Sequence, residues 1–168
     1  PSGAGIVVEG RGFHLHNRAS GYSLDPARPN ALKPRMRPFH TIIPAFMEKG
    51  DRHIGFGIIG GGNQPQAHAQ FVANIVDFGM NVQQAIEAPR WTTRSFPASP
   101  FPHTMYPGES SVESRIPEAT RLALISRGHK LKVTGAWSQG SNGAIVVGAN
   151  GVVSAGADPR VEAYAWAW

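Results

Sequence analysis

Apolar positions along the chain fall into two rhythms, and the changes of rhythm mark the elements. "GIVVEGRGFHLH" (residues 5–16) alternates on either side of Glu9-Gly10-Arg11-Gly12, which predicts a β-hairpin with a glycine-rich turn. "DPARPNALKPRMRP" (25–38) breaks the alternation with four prolines and reads as loop. "FHTIIPAFM" (39–47) and "HIGFGIIG" (53–60) are apolar runs of strand length joined by "EKGDR". Their near-continuous apolarity predicts strands covered on both faces.

The rhythm then lengthens. Pro65 suits the first turn of a helix, where its missing N–H costs little. From Gln66 to Phe78 the apolar residues Phe71, Val72, Ile75, Val76 and Phe78 leave little polar surface, so a helix buried nearly all round is expected, ending near Gly79. "NVQQAIEAP" (81–89) predicts a short second helix with Asn81 as N-cap and Pro89 beyond its end. "FPASPFPHTMYPGES" (96–110) reads as irregular, and "IPEATRLALISRGH" (116–129) as an amphipathic helix closed by Gly128. "KLKVTG", "GAIVVGANG" and "VVSAGADPR" read as strands, the last two a hairpin through Ala149-Asn150-Gly151. The expected class is α+β: a mostly antiparallel sheet covered by helices, in one domain spanning 1–168.

Composition narrows the chemistry. At 41% hydrophobic residues the chain is globular, and no apolar run reaches the roughly 18 residues of a membrane span. There are no cysteines, which excludes disulfides and thiolate zinc sites. The formal charge of +5 is spread along "NRASGYSLDPARPNALKPRMRPFH" with few aromatics, which argues against a nucleic-acid footprint and for an acidic small substrate or partner. His14 and His16 share a strand face. His40, His53, His68, His103 and His129 are scattered, so hydrogen-bonded or surface histidines account for them better than a metal does. Trp166 and Trp168 read as a tail, and Thr92-Thr93 as loop.

One corner invites chemistry. Gly60, Gly61 and Gly62 lie between an apolar strand and a helix start, where N–H groups and partial positive charge can meet a phosphate, a carboxylate or an oxyanion. The same glycines also suit a tight turn that lets strand and helix pack closely. No Gly-Lys-Ser/Thr follows, so this is not a phosphate loop. His40 and Thr41 stand where an apolar run begins, able to donate to a substrate or to a local turn.

Several segments together resemble the small-subunit half of the gamma-glutamyltranspeptidase family. These are "GIVVEGRGFHLHNRASGYSLDP", "RPNALKPRMRPFHTIIPAF", "GGGNQPQAHAQFVANIVDFGMNVQQAIEAPRW" and "GADPR", in family order from Gly3 to about Arg160. "NRxxGxSLDP", "RPFHT" and "QPQxH" point to its gamma-glutamyltransferase-like, cephalosporin-acylase-like branch. The resemblance implies an N-terminal-nucleophile hydrolase of αββα layers, cut by its own precursor into two subunits, with no metal or organic cofactor. A threonine at the new N-terminus attacks the acyl carbon, with its α-amine as base.

Position by position, Gly60-Gly61 match the paired glycines of the oxyanion hole. His40-Thr41 fall where transpeptidases place two serines that hold the substrate α-carboxylate. Asn17-Arg18 fall in the loop at the α-amino end. Two departures stand out. Gly21 replaces an aspartate that grips the γ-glutamyl ammonium, and Arg18 adds a cation nearby, so an acyl group without that ammonium, such as glutaryl, is expected. The nucleophile's segment is expected upstream of Gly3, so the chain reads as an incomplete small subunit. Its expected partners are the large subunit and a small γ-glutamyl or dicarboxylic amide. Alone it is expected to self-associate through surfaces meant for that partner. The rival expectations are a true γ-glutamyltransferase acting on glutathione and a non-catalytic relative that keeps the fold for binding.

Overall fold

The computed structural model describes residues 3–95 and 108–166, in two compact units, Pro1–Ile42 and Ile43–Trp168. In the first, the predicted hairpin is a short antiparallel ladder. Val7 bridges His14, Ala4 N–H donates to the Leu15 carbonyl at 2.9 Å, and Val8 N–H donates to that of Phe13 at 3.0 Å. Gly10 and Gly12 make the turn at φ 70° and 69°, which a side chain would resist. Arg18–Gly21 form one 3-10 turn, and a bridge from Ser23 to Ala31 closes the proline-rich loop.

The second unit holds two sheets. Strands β1 (Pro44–Lys49), β2 (Arg52–Ile59), β6 (Ser141–Val147) and β7 (Val153–Ala157) form an antiparallel sheet in the order β1-β2-β6-β7. The other sheet, in the order β3-β4-β5, contains β3 (Trp91–Arg94), β4 (Glu109–Glu113) and β5 (Lys130–Thr134). There β4 and β5 run parallel, joined by helix α3 (Glu118–Ser126), a departure from the antiparallel expectation. Parallel neighbours need a crossover, and α3 supplies it. Gly128 closes α3 at φ 91°: its N–H bonds the Ile125 carbonyl and that of His129 the Leu124 carbonyl, satisfying the last turn.

Helices α1 (Gln64–Val76) and α2 (Val82–Glu87) cover one face of the first sheet. Ile54, Phe56, Ile58, Ala144 and Val146 from the strands pack on Ala67, Phe71, Val82, Ala85 and Ile86. Burying each large apolar side chain contributes about 1.5–3 kcal/mol. Asn81 caps α2 as predicted: its side chain accepts from Gln84 N–H at 2.9 Å, and the Gln84 side chain accepts from Asn81 N–H at 3.0 Å.

Further expectations change. Strand β1 begins only at Pro44, so His40 and Thr41 precede it. The strands are covered on one face, because β2 alternates and Phe46, Ile59, Ile145 and Val153 on the opposite face are exposed. Helix α1 buries Gln64, Ala67 and Phe71, while Val76 and Phe78 lie open, so its composition overstated its burial. Thr92-Thr93 are strand, and Glu109-Ser110 begin β4; both were expected to be irregular. The expected excursion at 96–107 lies outside the described residues, as does Trp168.

Phe71→Ala should destabilise the chain by about 3–5 kcal/mol. Gly156→Ala should cost about 1–3 kcal/mol, because its Cβ would lie 2.6 Å from Ile86 Cδ1 and 2.7 Å from Val82 Cγ1. Urea midpoints at unchanged slope measure both.

Candidate functional site

The glycine corner follows directly from β2. Gly60 leaves the strand, Gly61 (φ 54°) begins a 3-10 turn through Asn63, and α1 starts at Gln64 with Pro65 in its first turn. The first N–H groups of a helical turn have no partner within it, and Gly60, Gly61 and Gly62 are all exposed. The corner therefore offers backbone donors at the positive end of a helix. Gly140 (φ 65°) packs against it so closely that a Cβ would run into the Ile59 carbonyl oxygen.

A polar cleft of about 310 Å³ opens beside the corner, lined by Gly60, Asn63, Thr92, Thr93, Ser138 and Gln139 among others. Its wall is fixed by side-chain amides. The Gln66 amide accepts from Thr93 N–H at 2.8 Å and donates to the Thr93 carbonyl at 3.2 Å. Gln70 does the same for Trp91, at 3.1 and 2.8 Å. Two glutamines one turn apart on α1 thus occupy the outer edge of β3, as a neighbouring strand would. Gln83 of α2 clamps Ala157 on the outer edge of β7, at 3.1 and 2.9 Å.

Behind the cleft lies a buried ionic cluster. Glu113, fully buried, accepts through Oε1 from Ser138 N–H (2.9 Å), Gln139 N–H (3.1 Å) and Arg160 Nε (2.7 Å). Its Oε2 accepts from Arg90 N–H (3.1 Å) and from the guanidinium groups of Arg115 (3.0 Å) and Arg160 (2.6 Å). Asp158 pairs with Arg90 at 2.7 Å and with Arg160 at 3.1 Å. Arg115 also stacks 3.4 Å over the Trp137 ring. Burial pushes the Glu113 carboxyl up, but the hydrogen bonds from Arg160 and from backbone N–H groups outweigh it and hold the group below the ordinary glutamate range. His68, edge-on to Phe56 at 5.2 Å, is pulled down by burial, and its Nε2 has no hydrogen-bond partner.

The other predicted site residues lie in the first unit. Asn17, Arg18 and Gly21 come together in and beside one 3-10 turn. The Asn17 carbonyl accepts from Ser20 N–H (3.1 Å) and Ser20 Oγ (2.8 Å), Arg18 N–H donates to His16 Nδ1 (3.2 Å), and Asn30 Nδ2 donates to the Gly21 carbonyl (2.9 Å). His40 is exposed, with Nδ1 accepting from Ile42 N–H at 3.4 Å, and Thr41 is half-buried. Among the described residues no group of three or more His, Asp or Glu could hold a metal ion, and no helix is long and apolar enough to cross a membrane. Sequence reasoning missed Asn63, Thr92 and Gln139. Only the polar run at "TT" and "SQGSN", between apolar segments, hinted at them.

The second unit thus combines an antiparallel sheet with an exposed glycine corner that leads into a helix. Residues 1–168 match the gamma-glutamyltranspeptidase family over their whole length. The chain is 36% identical over 97% of its length to a glutathione hydrolase-like YwrD proenzyme of Bacillus subtilis, and 34% identical over 94% to an oxamate amidohydrolase proenzyme of Klebsiella pneumoniae. It covers 30% and 29% of those proteins. It superposes on the cephalosporin acylase of Bacillus halodurans with a TM-score of 0.74, at 39% identity, covering 99% of this chain and 30% of that one. The chain belongs to the gamma-glutamyltranspeptidase family and has the α+β fold of its hydrolase and acylase members.

Two acid limbs should appear in the stability of the chain. A lowered histidine pKa means the unfolded chain binds the extra proton first, so stability falls as pH drops below the ordinary histidine value of 6.5. Glu113 adds stability that is full above the ordinary value of 4.5 and is lost as pH falls through its lower folded value. Glu113→Gln should remove the second limb, keep the first and cost about 3–5 kcal/mol at neutral pH, because it leaves buried Arg160 with Asp158 as its one carboxylate and Arg115 with none. Denaturant unfolding from pH 8 to 3 reads both.

Proposed function

We propose that the chain, as a single domain over 1–168, is the small-subunit portion of a self-processing amidohydrolase or acyltransferase. The nucleophile is a threonine preceding Pro1, exposed by cleavage of the precursor, and the large subunit is the partner. The threonine oxygen attacks the amide carbonyl carbon and its proton passes to the residue's own α-amine. The N–H groups of Gly60 and Gly61 hold the oxyanion. Collapse of the tetrahedral species expels the amine, which leaves with that proton, and an ester remains on the threonine. Water or an acceptor amine then releases the acyl group.

The observation that carries this reading is the corner: exposed glycines at the end of β2, opening a helix, with Gly140 packed against the Ile59 carbonyl just before them. Family membership supports the reaction class. Thr41 and His40 orient the substrate carboxylate, and Asn17 and Arg18 line the acyl end. Gly21 and Arg18 supply no anion for an ammonium there, so the preferred acyl group is a dicarboxylate such as glutaryl.

Intact-mass measurement of the full-length gene product should show two fragments, the smaller beginning with threonine upstream of Pro1. An uncut, inactive polypeptide would move the function to a non-catalytic relative. The mature enzyme should hydrolyse glutaryl anilide faster than γ-glutamyl anilide, and Gly21→Asp should shift the ratio toward γ-glutamyl; a wild-type preference for γ-glutamyl overturns the acyl assignment. Gly60→Val should lower kcat by about 10²–10³-fold, because it displaces an oxyanion donor and its Cβ meets the Asn63 Cβ at 3.3 Å.

A further inference from the structure

Asn63 ends the 3-10 turn in helical backbone geometry (φ −78°, ψ −20°), from which its side chain makes no cap hydrogen bond to α1. Its amide turns instead to Thr92. Thr92 Oγ1 lies 2.7 Å from Asn63 Oδ1 and 2.7 Å from Gln139 Oε1, bridging the turn after Gly60 to the residue whose N–H is held by buried Glu113. Asn63 also lies over the glycines. Its Cβ and Nδ2 are 3.3 and 3.6 Å from where a Gly60 Cβ would stand, and its N–H donates to the Gly60 carbonyl at 3.0 Å.

We infer that Asn63, Thr92 and Gln139 form a positioning relay that sets the direction of the Gly60 and Gly61 N–H groups. The proton count gives the relay a polarity. Thr134 Oγ1 donates its one proton to the Val112 carbonyl at 3.2 Å, so it accepts from Gln139 Nε2 at 3.3 Å. That fixes Gln139 Oε1 toward Thr92, which gives it its proton. Thr92 has no second proton for Asn63, so the Asn63 amide presents its NH2 to the hydroxyl and its carbonyl toward Gly60 and Gly140. The orientation of the corner is thus inherited, bond by bond, from the ionic cluster. Thr92 touches no reacting atom in this scheme. It acts through Asn63.

The inference rests on the amidase reading for its kinetic consequence, and the test separates the two. In the mature two-subunit enzyme, Thr92→Val keeps shape and removes the hydroxyl. It should lower kcat on the anilide about ten- to a hundredfold, leave KM within about twofold, and be rescued by Thr92→Ser. Asn63→Ala should give a similar loss, and the double variant should lose no more than either single one. An unchanged kcat in Thr92→Val, or additive losses, overturns the relay. If the wild-type protein turns over no amide, the amidase reading fails by itself, and the relay is judged from the amide resonances of Gly60, Gly61 and Gly62. These should shift in Thr92→Val and return in Thr92→Ser; unmoved resonances overturn it. Asn63→Ala takes over both measurements if Thr92→Val does not fold.

Discussion

Arg90, Glu113, Arg115, Asp158 and Arg160 come from three distant stretches of the chain and meet largely out of water. Removing such groups from solvent is expensive, and close ion pairs recover the cost only if nearly every hydrogen-bonding position is filled. Here both Glu113 oxygens are fully engaged, and Arg90 and Arg160 also donate to the Ile86 carbonyl at the end of α2. The cluster therefore does more than pair charges. It ties the end of α2, the strand β4, the segment before β6 and the chain after β7 into one geometry, which few other packings of the same residues would satisfy. An apolar core of equal volume would tolerate slippage between the two sheets. A set of interlocked, directional bonds does not.

That geometry reaches the glycine corner through short covalent and hydrogen-bonded steps. Glu113 holds the backbone of Ser138 and Gln139. The next residue, Gly140, lies under the end of β2, where only a hydrogen fits. The corner is exposed, but it stands on rigid ground, and this lets flexible glycines present donors in a fixed direction.

Much of this was legible in the sequence and some was not, for identifiable reasons. The hairpin at Gly50, the Asn81 cap and the Gly128 stop were readable because each depends on residues within one turn of chain. The glycine corner was visible as a place but open in meaning, since glycine serves tight packing and ligand approach alike; the close backbone packing falls on Gly140, while the space beside Gly61 and Gly62 is open. Strand β3 was not readable. "WTTR" is four residues long, and its outer hydrogen bonds go to glutamine side chains 21 and 27 positions earlier, which no local pattern records. The ionic cluster was equally hidden: Arg90 and Arg160 look like surface arginines in loops until Glu113 is placed between them. Helix α1 misled in the opposite direction, because an apolar side chain announces only that it can be buried.

The glutamine clamp on β3 matches two rulers of different pitch. Four helical residues advance about 6 Å and two strand residues about 6.6 Å, so Gln66 and Gln70 meet Thr93 and Trp91 with little misfit. A second step would double the discrepancy and carry the next side chain a further 40° or so around the helix axis. A helix can hold two alternate residues of a strand in this way and no third. The brevity of β3 is then a matter of commensurability: a longer strand at this edge would have to be held by something other than α1.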